Sequence, residues 1–298
     1  MSIVLQSHTV PPDTERIRLS DYAPKLFTTF IPSRKGIKKA IKRGAVHIDG
    51  VAGECGRWVE PGQKIELIDL ERKAPKIFPL KLDVVFEDDH LAVVNKPAGL
   101  VVNGNQFRTL ENALPFNLHP STQKDALYKF RPVHRLDSLT SGLVLIAKTS
   151  LACQGLGIQF EQKTIKKRYG AVVIGGTSSN GQIETPIEGK PALTTYYMLR
   201  KVPSLRNGYL TLLDVFPKTG RTHQIRIHLS QLGFPILGDK IYGTEGEILK
   251  GKGMFLSAIE LTFTHPIHKK ITKVETPAPA KFNKVLDREE HRWRKYNP

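Results

Sequence analysis

The run GLVLIA at 142–147 follows directly on a stretch crowded with charge and polarity: Arg131, His134, Arg135 and Asp137, then Ser138, Thr140 and Ser141. An apolar run without alternation is what a strand covered on both faces requires, so this segment predicts a sheet with a buried strand in it. Charges held at the mouth of such a strand are costly unless they are paired. Ionisable groups in such places are often the ones that carry chemistry. The segment RPVHRLDSLTSGLVLIAKTS therefore constrains the fold and marks where a site would lie. Taken alone, Asp137 reads first as a turn or capping aspartate, and other segments have to overturn that reading.

A chain of 298 residues allows one large domain or two unequal ones, and a 40% hydrophobic content is enough to bury a core. The clearest boundary is DLERKAPKIFPLK, polar and without periodicity, interrupted by Pro75 and Pro79. We read 73–80 as a linker, 1–72 as a small basic module and 81–298 as a larger domain. Short apolar runs alternating with turn signals make the larger part an α+β domain with a mainly antiparallel mixed sheet. The C-terminal KFNKVLDREEHRWRKYNP carries no motif and reads as a helix packed on that domain.

In the small module, Ser33 is placed to cap a helix over RKGIKKAIKR, and Gly44 is placed to end it. Ile37, Ala40 and Ile41 give that helix one narrow apolar face. Arg34, Lys35, Lys38, Lys39, Lys42 and Arg43 fill the rest with a single sign of charge. AVHIDG then reads as a strand ending in a tight turn at Asp49-Gly50, and VEPGQKIEL as a second turn and strand. The whole chain has 45 Lys and Arg against 28 Asp and Glu, a net charge of +17, and this points to a polyanionic partner. SRKGIKKAIKRGAVHIDG followed by VEPGQKI resembles the S-four-like RNA-binding domain, a small α/β unit. That resemblance implies RNA and a phosphate-binding role for the six cations.

Two further segments carry candidate chemistry. KKRYGAVVIGG reads as a strand with Tyr169 at its start, and PKTGRTHQIRIHLSQLGFPILGD holds Arg221, His223, Gln224, Arg226 and His228. Read singly, each has a bland explanation. Tyr169 serves as a core aromatic, Arg226 as an exposed strand residue, and His223 and His228 as structural histidines too poor in nearby carboxylates for a metal. Together, HRLDSLTSGLVLIAK, RYGAVV, GRTHQIRIH with PILGD, and EDDHLAVVNKPAGLVV resemble the signatures of RluA-type pseudouridine synthases, in the family's order across 80–275.

The resemblance implies roles for these residues. Asp137 is implied as the carboxylate that attacks the anomeric carbon of a uridine or removes a neighbouring sugar proton. Arg226 is implied as its ion-pair partner, with Arg221 as the alternative. Tyr169 is implied to lie against the target base, its hydroxyl helping to remove the proton from carbon five. A base buried in folded RNA must first be extruded, and Arg135 is implied to fill the vacated stack. His134 and Ile225 complete the candidate substrate contacts. Ser138-Leu139 departs from the charged or polar pair usual after the aspartate, and NGNQFRTLENAL replaces a usual histidine-proline pair.

The reaction is an isomerisation, so neither a redox cofactor, a nucleotide nor a metal is expected. Cys55 and Cys153 stand far apart without CxxC spacing, which fits a reducing compartment. The N-terminus lacks the pattern of a signal peptide, and no apolar stretch approaches a membrane span. We expect a cytoplasmic, monomeric enzyme whose partner is ribosomal or transfer RNA, ribosomal favoured. The competing readings are an inactive RNA-binding factor, and a hydrolase, for which no DxD, HExxH, GxSxG or phosphate loop is present.

Overall fold

A computed structural model describes residues 3–31, 33–69, 77–243 and 252–297. The chain divides into two compact units, Met1–Pro75 and Lys76–Pro298. Residues 73–76 of the expected linker lie outside the described residues.

The first unit runs β1 (Ile3–Thr9), β2 (Ile17–Arg18), α1 (Leu19–Leu26), α2 (Arg34–Lys42), β3 (Val46–Ile48), β4 (Val51–Ala52), β5 (Trp58–Val59) and β6 (Lys64–Asp69). Ser33 Oγ accepts the Gly36 N–H at 3.0 Å, satisfying one of the free donors at the start of α2. Gly44 adopts φ +74 just past the end of that helix, where a side chain would be strained. Ile37, Ala40 and Ile41 are buried against Leu19, Phe27, Val46 and Ile65, while the five cations of α2 and Arg43 at its C-terminal cap are all exposed. One of them is not free, because Arg34 is paired with Asp21. Asp49 and Gly50 take φ of +50 and +81, the left-handed pair that a tight hairpin between β3 and β4 demands.

The second unit runs β7 (Asp83–Glu87), β8 (Leu91–Lys96), α3 (Leu110–Asn117), β9 (Ala126–Pro132), β10 (Ser141–Thr149), α4 (Ser150–Glu161), β11 (Lys166–Ile174) and β12 (Asn180–Ile183). It continues with β13 (Thr194–Ser204), β14 (Gly208–Pro217), α5 (Gln224–Gln231), β15 (Leu256–Thr264), β16 (Ile271–Glu275) and α6 (Lys281–Tyr296). Among the described residues one sheet has the order β12-β13-β14-β11-β15-β10-β8-β7, with β9 added to β10 and β16 to β15. Its pairings are antiparallel except β10 with β15, which pair in parallel over Ser141–Gly142 and Ser257–Ala258. The fold is thus α+β with a mainly antiparallel mixed sheet.

That parallel join sets up the site. Gly142 has φ +115, and a Cβ there would run into the carbonyl oxygen of Ala258, so only glycine permits the two strands to meet. From Gly142 onward β10 is buried throughout, with Val144 and Ile146 on one face and Leu143 and Leu145 on the other, each in its own core cluster. The loop preceding β10 carries Asp137, just before the parallel join with β15. The C-terminal segment forms α6, which buries Phe282, Val285 and Leu286 in the core of the second unit. Arg200 of β13 grips it through Asp287 at 2.6 Å and Glu290 at 2.7 Å.

Candidate active site

Asp137, Tyr169, Arg221, His223 and Arg226 line one cleft of about 520 Å³, together with His134, Arg135 and Ile225. They come from several elements of the fold. Asp137 lies in the loop before β10, Tyr169 in the first half of β11, Arg221 and His223 in the turn after β14, and Arg226 in the first turn of α5. Lys163, Lys167 and Lys218 also line the cleft, giving it a cationic rim.

Arg226 is the arginine that reaches Asp137: its Nη1 donates to Asp137 Oδ2 at 3.2 Å. It lies on a helix rather than an exposed strand, and its side chain is only 3% exposed. The alternation of Ile225, Ile227 and Leu229 imitates a strand, but polar residues face inward here and have buried partners. Gln224 is one of these. Its Oε1 accepts from Thr219 Oγ1 (2.6 Å) and Arg221 N (3.0 Å), and its Nε2 donates to Leu193 O and Thr194 Oγ1. His228 is another, tied to Thr194 Oγ1 and Thr185 O. Arg221 turns away from Asp137, its Nε donating to Pro191 O.

A second carboxylate completes the arrangement. Asp239 accepts from Arg226 Nε at 2.6 Å and Nη2 at 2.9 Å, and from the N–H groups of Ile241 and Tyr242. Gly238 before it has φ +82 and packs against the Gly253 carbonyl, another approach that no side chain allows. Burial, the largest single influence, would lower the affinity of Arg226 for its proton, but the hydrogen bonds and charges of Asp239 and Asp137 together outweigh it and the net shift is upward. Burial likewise works against ionisation of Asp239, but the guanidinium and the backbone N–H groups of Ile241 and Tyr242 together hold its carboxyl below the usual range. Arg226 is therefore a fixed cation, bound bidentately on one side and offering one donor to Asp137 on the other.

Lys96 supports the loop from behind. It is fully buried, and its three donors reach Pro97 O (3.0 Å), Leu100 O (2.7 Å) and Ser138 O (3.1 Å). Ser138 O also accepts the Gly99 N–H at 2.7 Å, so the residue after Asp137 is pinned twice. Burial pushes the Lys96 ammonium down to about 8, and the charge of Asp137 resists that fall. Tyr169 is pushed up well beyond the usual phenol range, by burial first and then by the Asp137 charge, so it stays protonated at neutral pH.

The remaining candidates are placed as follows. Arg135 is exposed at the cleft edge. His134 lines the cleft, but its Nε2 accepts the Leu145 N–H at 3.0 Å and its ring lies 4.8 Å from that of Phe160. Burial, with Lys167 contributing, pushes it down to about 3, so it is a neutral imidazole that anchors the loop to β10. Ile225 is 5% exposed and belongs mostly to the core. Arg34, Lys35, Lys38, Lys39, Lys42 and Arg43 are on the first unit. Asp239 and Lys96 carry no role in the sequence, although PILGD and NKPAG are within the segments that carry the family resemblance, and His223, which reads there as a structural histidine, stands beside Asp137.

Asp88, His265 and His268 each bring one potential metal ligand atom within 4.8 Å of the others. The hydrogen bonds oppose metal binding. His265 Nδ1 accepts from the N–H groups of Ile267 and His268, so the proton resides on Nε2 and is donated to Asp88 Oδ2 at 2.8 Å. Both ring nitrogens are thus committed to clamping the β7–β8 turn against the β15–β16 turn.

Residues 90–231 match the family model described as RNA pseudouridylate synthase. The ribosomal large subunit pseudouridine synthase D of Nitrosomonas europaea is 36% identical over 91% of this chain and 84% of its own length. An uncharacterized RNA pseudouridine synthase of Aquifex aeolicus is 33% identical over 93% of this chain and 95% of its own. Among solved structures, human RNA pseudouridylate synthase domain containing 1 superposes with a TM-score of 0.57 at 26% identity, covering 70% of this chain and 87% of its own. With Asp137, Tyr169 and Arg226 gathered in one cationic cleft of this fold, the chain belongs to the RNA pseudouridylate synthase family and is an RNA pseudouridine synthase.

Proposed function

We propose that this enzyme isomerises uridine in the RNA of the large ribosomal subunit, with Asp137 as its single catalytic carboxylate. The observation that carries the assignment of Asp137 is its ion pair with Arg226, itself locked by Asp239, at the floor of the cleft. The target base enters that cleft after extrusion from folded RNA, at a cost of a few kcal/mol. The bond between uracil N1 and the ribose breaks, the ring turns, and C5 bonds to the same sugar carbon. N1 gains the hydrogen that C5 loses, so atoms and electrons balance without an oxidant or a second substrate. Asp137 begins this either by attacking the anomeric carbon or by taking a proton from the adjacent sugar carbon.

Arg226 pairs with Asp137 and fixes one of its oxygens. Tyr169 stacks against the base, and its phenol, held protonated, serves as a hydrogen-bond donor in the resting enzyme. Arg135 at the cleft edge fills the gap left in the RNA stack. His134 acts by setting the shape of the cleft wall, while Ile225 and Arg221 contact the substrate. The first unit, an S-four-like RNA-binding domain over 1–72 joined through 73–80 to the catalytic domain at 81–298, holds RNA phosphates on the exposed cations of α2. The preference for ribosomal RNA rests on the names of the relatives and on this accessory unit, which suits a large substrate. Action on that RNA places the enzyme in the cytoplasm.

The test is carbodiimide mapping of pseudouridine by primer extension on ribosomal and transfer RNA from cells with the gene, without it, or with Asp137→Asn. Large-subunit sites that vanish in both altered strains are the expected result. Sites lost only from transfer RNA would refute the assigned substrate.

A further inference from the structure

Resting on the assignment of Asp137, we propose that His223 is a positioning residue that works with Tyr242 to hold the second oxygen of that carboxylate. Arg226 accounts for Oδ2 only. Oδ1 faces the imidazole of His223, whose Nε2 stands 3.7 Å away. That is just beyond hydrogen-bond reach, a gap that catalytic contacts commonly show before substrate binds.

The backbone supports the same conclusion. His223 adopts φ +54 and ψ +21, the left-handed region, at the N-terminal cap of α5, and its side chain makes no capping bond there. A residue with a Cβ is held in that conformation only when its surroundings demand it, and such strain gathers at functional positions. Here the demand comes from its neighbours. Gln224, buried and with both ends of its amide bonded, anchors the turn from one side. On the other, His223 Nδ1 lies 3.0 Å from Tyr242 Oη.

The chemistry fixes the tautomer. A lone pair on Nε2 pointed at a carboxylate is repulsive, so Nε2 carries the proton and Nδ1 accepts from the Tyr242 hydroxyl. Tyr242 is placed for this by its own backbone N–H, which donates to Asp239, and by its ring, 5.0 Å from the Arg226 guanidinium. Asp239 thus organises both grips on Asp137: directly through Arg226, and through Tyr242 and His223. Once that 3.7 Å gap closes on substrate binding, the carboxylate is held at both oxygens and cannot rotate away while the uracil turns.

The test uses the full-length enzyme and a transcribed substrate RNA, comparing His223→Asn, His223→Gln, Tyr242→Phe and the His223→Asn/Tyr242→Phe pair. Asparagine tolerates the left-handed backbone, and its amide reaches the place of Nδ1, not Nε2. Glutamine extends an N–H to the place of Nε2. His223→Asn should lower kcat about tenfold or more with KM within about twofold, the loss expected when a reacting group is misplaced. His223→Gln should recover a large part of that loss. Tyr242→Phe should lower kcat by a smaller factor, and the pair should be no slower than His223→Asn alone, because the phenol acts only through the imidazole. Unchanged kcat, a rise in KM alone, or losses that multiply in the pair would overturn the proposal. Tyr242→Phe keeps the ring and the backbone bond, so it supplies the test even if the His223 variants fold poorly. An active Asp137→Asn would refute the role of Asp137 itself, whereas a silent Asp137→Asn beside an unaffected His223→Asn would refute only the role of His223.

Discussion

Replacing Asp239 by asparagine removes one charge and leaves almost every atom in place, yet the structure predicts a large effect. Asp239 is 1% exposed and its partner Arg226 3% exposed, so neither can turn to water when the other is altered. The carboxylate accepts four hydrogen bonds, two from the guanidinium and two from the backbone of Ile241 and Tyr242. An asparagine oxygen can keep the two backbone bonds, but its NH2 then points at a guanidinium N–H, donor against donor. Breaking a buried pair in this way costs about 3–5 kcal/mol. At about 2–4 °C per kcal/mol for a unit of this size, the melting temperature should fall by about 6–20 °C. Activity should fall further than stability, because an Arg226 released from Asp239 no longer fixes Asp137. Calorimetry with a single-turnover assay well below the new melting temperature separates the two effects. A fall of under about 2 °C, within the range of ordinary surface changes, would show that Asp239 does not compensate Arg226.

Two other expectations concern charge. His134 is held near 3 in the folded protein against 6.5 in the unfolded chain, so the unfolded state takes up the proton first as pH falls. Its contribution to stability is present above about 6.5 and is lost between there and about 3, up to a few kcal/mol in all. His134→Gln, which can still accept from Leu145 N and does not titrate, should show a shallower loss of denaturant resistance between pH 7 and 4; equal slopes would refute this. Replacing Lys38, Lys39 and Lys42 by alanine should reduce the slope of log affinity for RNA against log salt by about 2–3 while sparing the rate at saturating RNA. An unchanged slope would remove α2 from the binding surface.

Local rules were legible wherever one residue type has one physical use. Ser33 and Gly44 bracket α2 because a free N–H needs an acceptor and a left-handed end needs glycine, and Asp49-Gly50 makes a hairpin for the same steric reason. GLVLIA reads as buried because nothing in it can face water. The helix α5 was hidden because burial there is inverted: Gln224, Arg226 and His228 point inward to partners such as Thr185, Thr194, Asp239 and Asp137, and their side chains look exposed when read in sequence. Spacing alone could not choose between Arg221 and Arg226, since the choice depends on which one a helix turns toward Asp137. Asp239 reads as an ordinary turn residue after Gly238, and only the fold places it 13 positions away in sequence against Arg226. His223 looked structural because its imidazole lacks a carboxylate nearby in sequence, whereas Asp137 comes from a loop in a different part of the sheet.

The central claim is that Asp137 performs the chemistry, and the most direct measurement is release of tritium from RNA labelled at uracil C5. Pseudouridine formation replaces the C5–H bond with the glycosidic bond, so every turnover sends one label into water. In single-turnover reactions with enzyme in excess, wild-type protein should release the label from its target uridines. Asp137→Asn should bind the RNA with similar affinity and release no more than enzyme-free RNA does. Release by Asp137→Asn at a rate close to wild type would contradict the account.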